Sequence, residues 1–332
     1  MFENDVPLAP LTTLGIGGPA KFFLRAESVD DVREALAFAE ARALPLLVLA
    51  GGSNVLIPDE GFDGVVVHVD LHGITIESED AGSVIVNVAA GEPWDDFVDF
   101  AVASGWAGVE CLSGIPGSAG ATPIQNVGAY GQEVAETIIR VEVLERAAGR
   151  VIDLTNAECG FAYRSSIFKG AAKGRYVVIS VTFRLRPGAP ATVRYPELRA
   201  HLDGVDDLGA VREAVIAIRR RKGMVLDPAD PDTRSDGSFF MNPIVPPERV
   251  PEGAPAYPGP AGVKLSAAWL IEQAGFHKGF THGKVGISTK HTLAIVNRGG
   301  GTAAEVRELA AMIQAGVRER FGVELQPEPV FV

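Results

Sequence analysis

Ser113-Gly-Ile-Pro-Gly-Ser-Ala-Gly-Ala-Thr-Pro-Ile-Gln-Asn-Val-Gly-Ala-Tyr-Gly131 packs five glycines and two prolines into nineteen residues, with no charged side chain. A plain connection of that length is uncommon in a compact domain. Glycine lets backbone N–H groups come close to an anion, and Ser or Asn beside it adds short hydrogen bonds. The stretch reads as a cradle for a diphosphate.

A second segment, Leu49-Ala-Gly-Gly-Ser-Asn-Val-Leu56, has the same chemistry in shorter form. Alone it would read equally well as a tight turn. Its context is ordered: Ser28 to Leu44 has a Ser28 N-cap, Asp31 three residues later and apolar residues at helical spacing, and leads into the apolar run Leu46 to Leu49. The order is helix, buried strand, glycine turn.

Outward from these segments, strands are expected at Val65–Val69, Val84–Val88, Val141–Leu144, Val177–Phe183 and Leu293–Val296. Helices are expected at Trp94–Ser104, Leu208–Lys222 and Thr302–Phe321, the last with a Thr302/Glu305 capping box and Gly322 beyond its end. Proline-rich Leu226 to Gly262 reads as loop. The pattern is α+β, with boundaries near residues 70 and 210.

The whole chain sets limits on function. At 332 residues it exceeds one ordinary domain. Its formal charge of −12 argues against nonspecific binding to nucleic acid or anionic lipid, so an anionic ligand needs a local basic pocket. Glycine, at 38 residues, is well above the background of roughly 7%. Two cysteines, Cys111 and Cys159, are too few for a disulfide framework and suit a reducing compartment. MFENDVPLAP shows no basic region followed by an apolar stretch, and no apolar run nears the ~20 residues of a span. A soluble, cytoplasmic protein is expected.

Several motifs fail on context. Gly15-Ile-Gly17-Gly-Pro-Ala20 fits the letters of a dinucleotide fingerprint, but no apolar strand precedes it and Pro19 sits inside the turn. Gly283-Lys284 lacks the first glycine of a phosphate loop, and Gly117-Ser118 has its serine misplaced for a nucleophile elbow. His277, His282 and His291 have no thiolate or evident carboxylate partner, so no metal is expected.

Five segments together carry a resemblance: the two glycine segments, Tyr163-Arg-Ser-Ser-Ile-Phe-Lys169, Asp236-Gly-Ser-Phe-Phe-Met-Asn-Pro243 and Leu325-Gln-Pro-Glu328. In order and spacing, from about residue 12 onward, the chain resembles the UDP-N-acetylenolpyruvoylglucosamine reductase (MurB) family. The resemblance implies an FAD-binding fold of the vanillyl-alcohol-oxidase type. Two α+β FAD lobes, residues 1–70 and 71–210, would precede an α+β substrate-binding domain, residues 211–332. NADPH would reduce FAD. Hydride would then pass from flavin N5 to C3 of UDP-N-acetylglucosamine enolpyruvate, with a proton to C2.

The same resemblance implies site residues. FAD would be bound by Gly51, Gly52, Ser53, Asn54, Val55 and Leu56, and by Gly114, Ile115, Pro116, Gly117, Ser118, Gly120, Ala121, Gln125, Asn126, Gly128, Ala129 and Tyr130. Three residues would be catalytic. Arg164 would hold the substrate carboxylate, which a guanidinium suits. Ser238 would give the proton to C2, and Glu328 would assist as a protonated acid, which needs a dry site. Tyr195, Lys222, Asn242 and His291 would touch substrate. Tyr195 lies in Val-Arg-Tyr-Pro-Glu-Leu, which resembles the subgroup with a tyrosine-bearing loop. Met241 stands where many relatives have lysine. Arg219-Arg-Arg-Lys222 is the most cationic run, which alone reads as a favourable helix C-terminus. A monomer is expected.

Two other classes compete: a different flavin oxidase or dehydrogenase, and a nonenzymatic module binding a UDP-sugar or flavin. Ser238 with Glu328 argues against the first, because they suit a C2 enolate. The second has no use for Arg164, Ser238 and Glu328 together.

Overall fold

The computed structural model describes residues 1–202, 204–259 and 261–332. It divides the chain into two compact units, one of Met1–Val6, Ala20–Gly51 and Asp63–Arg220, the other of Pro7–Pro19, Gly52–Phe62 and Arg221–Val332. This differs from a contiguous division at residues 70 and 210. The physical reason is burial: Leu14, Ile16 and Leu56 join Phe239, Leu265, Ile295 and Leu309 in one core. Asp59 also accepts the N–H groups of Ala303 and Ala304, at the start of the last helix (2.7 and 3.0 Å).

The first unit carries two sheets. One runs Glu3–Pro7, Pro19–Ala26, Phe62–Val69, Leu46–Leu49, the last two strands parallel with Leu49 beside His68. The helix Val29–Ala41 precedes Leu46–Leu49. Ser28 accepts from the Asp31 N–H and Asp31 answers to the Ser28 N–H, the reciprocal cap that the sequence implied. The other sheet is antiparallel, in the order Val151–Thr155, Ile138–Glu145, Tyr176–Pro187, Val84–Ala89, Ile74–Glu79. Val84, Val86 and Val88 are fully buried while Ile85, Asn87 and Ala89 are not, the period of two that a one-faced strand requires.

The helix Trp94–Ala103 buries Trp94, Phe97, Val98 and Ala101, one helical face. Trp94, Phe97 and Phe183 cluster with ring centroids 5.0 to 5.7 Å apart. The Trp94 indole N–H donates to Leu112 C=O at 3.1 Å, which anchors the start of the long glycine segment.

In the second unit, the helix Ala303–Phe321 buries Val306, Leu309, Ala310, Ile313 and Val317. It is capped by Thr302 with Glu305 and ends at Gly322 in the left-handed region. Thr281–His282, Val285–Ile287 and Ile295–Asn297 form one small antiparallel sheet. The stretch read as loop, Leu226 to Gly262, contains the strands Ile244–Val245 and Ala256–Gly259, which flank Gly262–Leu265. Pro258 is tolerated because its strand is an edge. No helix of the described residues is long and apolar enough to cross a membrane.

Candidate active site

In the first unit the two glycine segments meet. A Cβ added to Gly51 would lie 2.6 Å from the Cα of Gly117, so this approach of two main chains excludes any side chain there. Next to it the Ser118 hydroxyl is buried with no partner among the described residues. Such an orphan costs about 1–3 kcal/mol unless a ligand completes it. The N–H groups of Ile115, Gly117 and Ser118 also find no acceptor among the described residues.

Other members of the long segment are committed within the protein. Gly114 donates to Asp95 Oδ1 at 2.6 Å and accepts from Arg219 Nε at 3.1 Å. Gly120 donates to Ala90 C=O and Ala121 to Ser118 C=O. The Asn126 amide donates to Glu133 and to Ala162 C=O, and its oxygen accepts from Ala135. These residues shape the cradle, while Ile115 to Ser118 present it.

Arg219 does more than place a favourable charge at a helix C-terminus. It is only 6% exposed, burial lowers its pKa, and it bonds both Gly114 and the Tyr130 hydroxyl. Burial pushes the Tyr130 phenol up to about 12, so it stays neutral. The signal was present: Leu208, Val211, Val215, Ile218 and Arg219 share the buried face of the helix Leu208–Arg221. Tyr130 also meets the exposed Tyr195 edge to face at 5.5 Å.

Arg164 has a φ of 52°, rare for a side chain of its size, in a turn where Ala162 and Ser165 exchange main-chain bonds. Its guanidinium donates to Gly128 C=O at 2.7 Å. The half-buried Arg164 is therefore joined to the second glycine segment.

Ser238 and Glu328 belong to the second unit. Gly237 turns the chain at φ 72°, and Phe239 then pairs on both sides, its N–H to Leu293 C=O at 2.7 Å and its C=O to the Glu328 N–H at 2.9 Å. That pairing sets Ser238 opposite His291, Oγ to Nε2 3.2 Å, and brings Glu328 alongside. Asn54 joins the group, accepting from the Val330 N–H and reaching Glu328 C=O with its amide at 3.4 Å. The Asn242 side-chain oxygen accepts the Ala267 N–H, which leaves its amide N–H₂ as the end suited to an anionic oxygen. Lys222 follows the helix Leu208–Arg221, half-buried.

Two residues of this region were not singled out from sequence. Asp236 is 8% exposed with Oδ2 unpartnered among the described residues, and burial raises its pKa to about 8. Thr13 donates its hydroxyl to Ser235 C=O at 2.8 Å across 222 residues of sequence. Asp236 opens the segment that carries Ser238 without any local mark of its burial, and no local pattern marks Thr13.

Glycine backbones, unspent N–H groups and an orphan hydroxyl suit a bound diphosphate, and the comparisons agree on the class. An FAD-binding domain model matches residues 20–155. The model of the C-terminal domain of UDP-N-acetylenolpyruvoylglucosamine reductase matches residues 228–332. Proteins of that name from Thermobifida fusca and Cutibacterium acnes are 52% and 50% identical, over 100% and 98% of this chain and 98% and 89% of theirs. A solved UDP-N-acetylenolpyruvylglucosamine reductase (MurB) from Thermus caldophilus is 26% identical, with a TM-score of 0.68 over 100% of this chain and 98% of that one.

The chain is thus an FAD-dependent oxidoreductase with an α+β fold. It belongs to the UDP-N-acetylenolpyruvoylglucosamine reductases, the MurB family, enzymes of peptidoglycan precursor synthesis.

Proposed function

We propose that the chain uses NADPH to reduce UDP-N-acetylglucosamine enolpyruvate to UDP-N-acetylmuramate, with Arg164, Ser238 and Glu328 as the catalytic residues. FAD, when bound, supplies hydride chemistry at its N5. Gly51–Leu56, Ile115, Gly117 and Ser118 would hold its diphosphate, on a frame made by Gly114, Gly120, Ala121 and Asn126.

Negative charge builds on the substrate carboxylate as C3 is reduced, and the Arg164 guanidinium is the group suited to receive it. Ser238 Oγ gives its proton to C2. A hydroxyl is a weak acid, so it needs a neighbour, and His291 Nε2 at 3.2 Å orients it and stabilises the oxygen left behind. Glu328, half-buried next to this pair, assists as a protonated acid. Tyr195, Lys222 and the Asn242 amide are the substrate contacts in this reading.

The observation that carries it is the pairing of Phe239 with Leu293 and Glu328, which gathers Ser238, His291 and Glu328 from three distant segments. Stopped-flow absorbance separates the half-reactions. In Ser238→Ala, flavin reduction by NADPH stays within about twofold, while reoxidation by the enolpyruvyl sugar slows by about 10²–10⁴. Equal loss in both would refute the role.

The same reading makes the protein cytoplasmic and monomeric, the second checked by sedimentation. Buried, unpaired Cys111 and Cys159, each pushed up to about 12 by burial, support a reducing compartment. It also treats the first unit as two FAD lobes meeting near residue 70, which its two separate sheets support.

A further inference from the structure

The second unit holds a tie that the mechanism above does not use. The Thr13 N–H donates to Gly52 C=O at 3.0 Å, and its hydroxyl to Ser235 C=O at 2.8 Å. Gly52 opens this unit's part of the first glycine segment, and Ser235 opens the turn that carries Ser238. Both neighbours hang on the strand Ile295–Asn297. The Asn297 amide donates to Leu14 and Gly15 C=O, its main-chain N–H donates to Arg234 C=O, and Ser235 bridges Val296. The Thr13 hydroxyl is the direct bond between the two segments so held.

We propose that Thr13 is a positioning residue for proton delivery, tying the turn that aims Ser238 to the glycine segment at Gly52. This rests on the reading of Ser238 as proton donor. The hydroxyl has one proton, spent at 2.8 Å on Ser235, so little of it reaches Asp236 Oδ1 at 3.4 Å. Asp236 Oδ2 has no partner among the described residues. Among the described residues, the elements around the carboxyl bring it no charge. Thr13 comes from one segment, Val296 and Asn297 from the strand, and Met224 faces Gly237, while Arg234 is exposed. Burial and the Thr13 hydroxyl are the two influences on its titration. A charge on Asp236 would therefore sit unpaired in the tied turn, and the turn would shift to hydrate it.

The holoenzyme tests this by half-reactions across pH. Thr13→Val replaces the hydroxyl with a methyl group of similar size and keeps the main-chain bond to Gly52. Its flavin content and its reduction by NADPH stay within about twofold, while reoxidation by the enolpyruvyl sugar slows about tenfold or more. Thr13→Ser recovers to within about threefold of wild type. In wild type, reoxidation declines as pH rises past about 8, and Asp236→Asn abolishes that decline. In Thr13→Val the decline moves only slightly to higher pH, because the long, weak Thr13 bond is the one group opposing burial.

Thr13→Val with unchanged reoxidation, or with both half-reactions equally slowed, would overturn the proposal. So would an alkaline decline that stays in place in Asp236→Asn. Ser238→Ala separates the two levels: if it reoxidises normally, the reading of Ser238 fails, whereas its collapse beside an unaffected Thr13→Val fails only Thr13.

Discussion

Gly114 in the first unit and Ser235 in the second each anchor a loop, and they are held by opposite chemistry. Gly114 is gripped by ions, its N–H by Asp95 and its C=O by Arg219, with Asp95 clamped by Arg212 at 2.6 and 3.0 Å. Ser235 is gripped by a neutral hydroxyl, and the neighbouring Asp236 carboxyl has no cation among the described residues. Burial pushes Asp95 up, but Arg212 and the Gly114 N–H more than offset it, so its pKa ends below the ordinary value. Burial on Asp236 is opposed only by Thr13, and the carboxyl rises to about 8. A buried carboxyl with a cation makes a frame indifferent to alkali. One without a cation makes a frame that holds only while protonated.

The first way to break this contrast is to remove the ion. Arg219→Met removes the donor of the buried Gly114 C=O and its bond to Tyr130, and should lower unfolding free energy by about 3 kcal/mol, read by denaturant titration. A loss below about 1 kcal/mol would mean that the cradle does not depend on its charged frame.

Asp236 acts with the other sign. The folded state binds the Asp236 proton more tightly than the unfolded chain, so wild-type stability falls as pH rises from the ordinary carboxylate range to about 8. Asp236→Asn should therefore be more stable at neutral pH, by about 2 kcal/mol, with the gain fading in mild acid. Asp95, whose folded pKa is depressed, contributes stability that disappears as pH falls through that value, so Asp236→Asn should leave the acid limb untouched. A variant no more stable than wild type at neutral pH would show that Asp236 is not held protonated.

The smallest effect is a control outside both regions. Ser28→Ala breaks the reciprocal cap of the helix Val29–Ala41 and should cost about 1 kcal/mol in thermal unfolding, with both half-reactions unchanged. A shift in either half-reaction would join that helix to the cradle.

Much of this was legible residue by residue. The caps at Ser28 and Thr302, and the buried faces of Trp94–Ala103 and Ala303–Phe321, follow from local spacing and stand as read. The strand Glu3–Pro7 escaped because it is almost wholly exposed and shows no alternation. Ile244–Val245 and Ala256–Gly259 escaped because prolines mask short edge strands. At the sites, the motifs marked Ser238, Glu328 and Arg164, and helical spacing put Arg219 on a buried face, but nothing local marked Thr13 or named the partners of Arg219.

Alone, the sequence determined the helices, the glycine segments and the family, because periodicity and motif chemistry act between near neighbours. Only the tertiary structure decided which glycine N–H groups are spent, which arginine is buried and which aspartate stays protonated. Each of those depends on partners far along the chain, as Arg219 depends on Gly114 and Asp236 on Thr13. Burial, which sets protonation and the cost of an unpaired group, exists only once those distant segments have met.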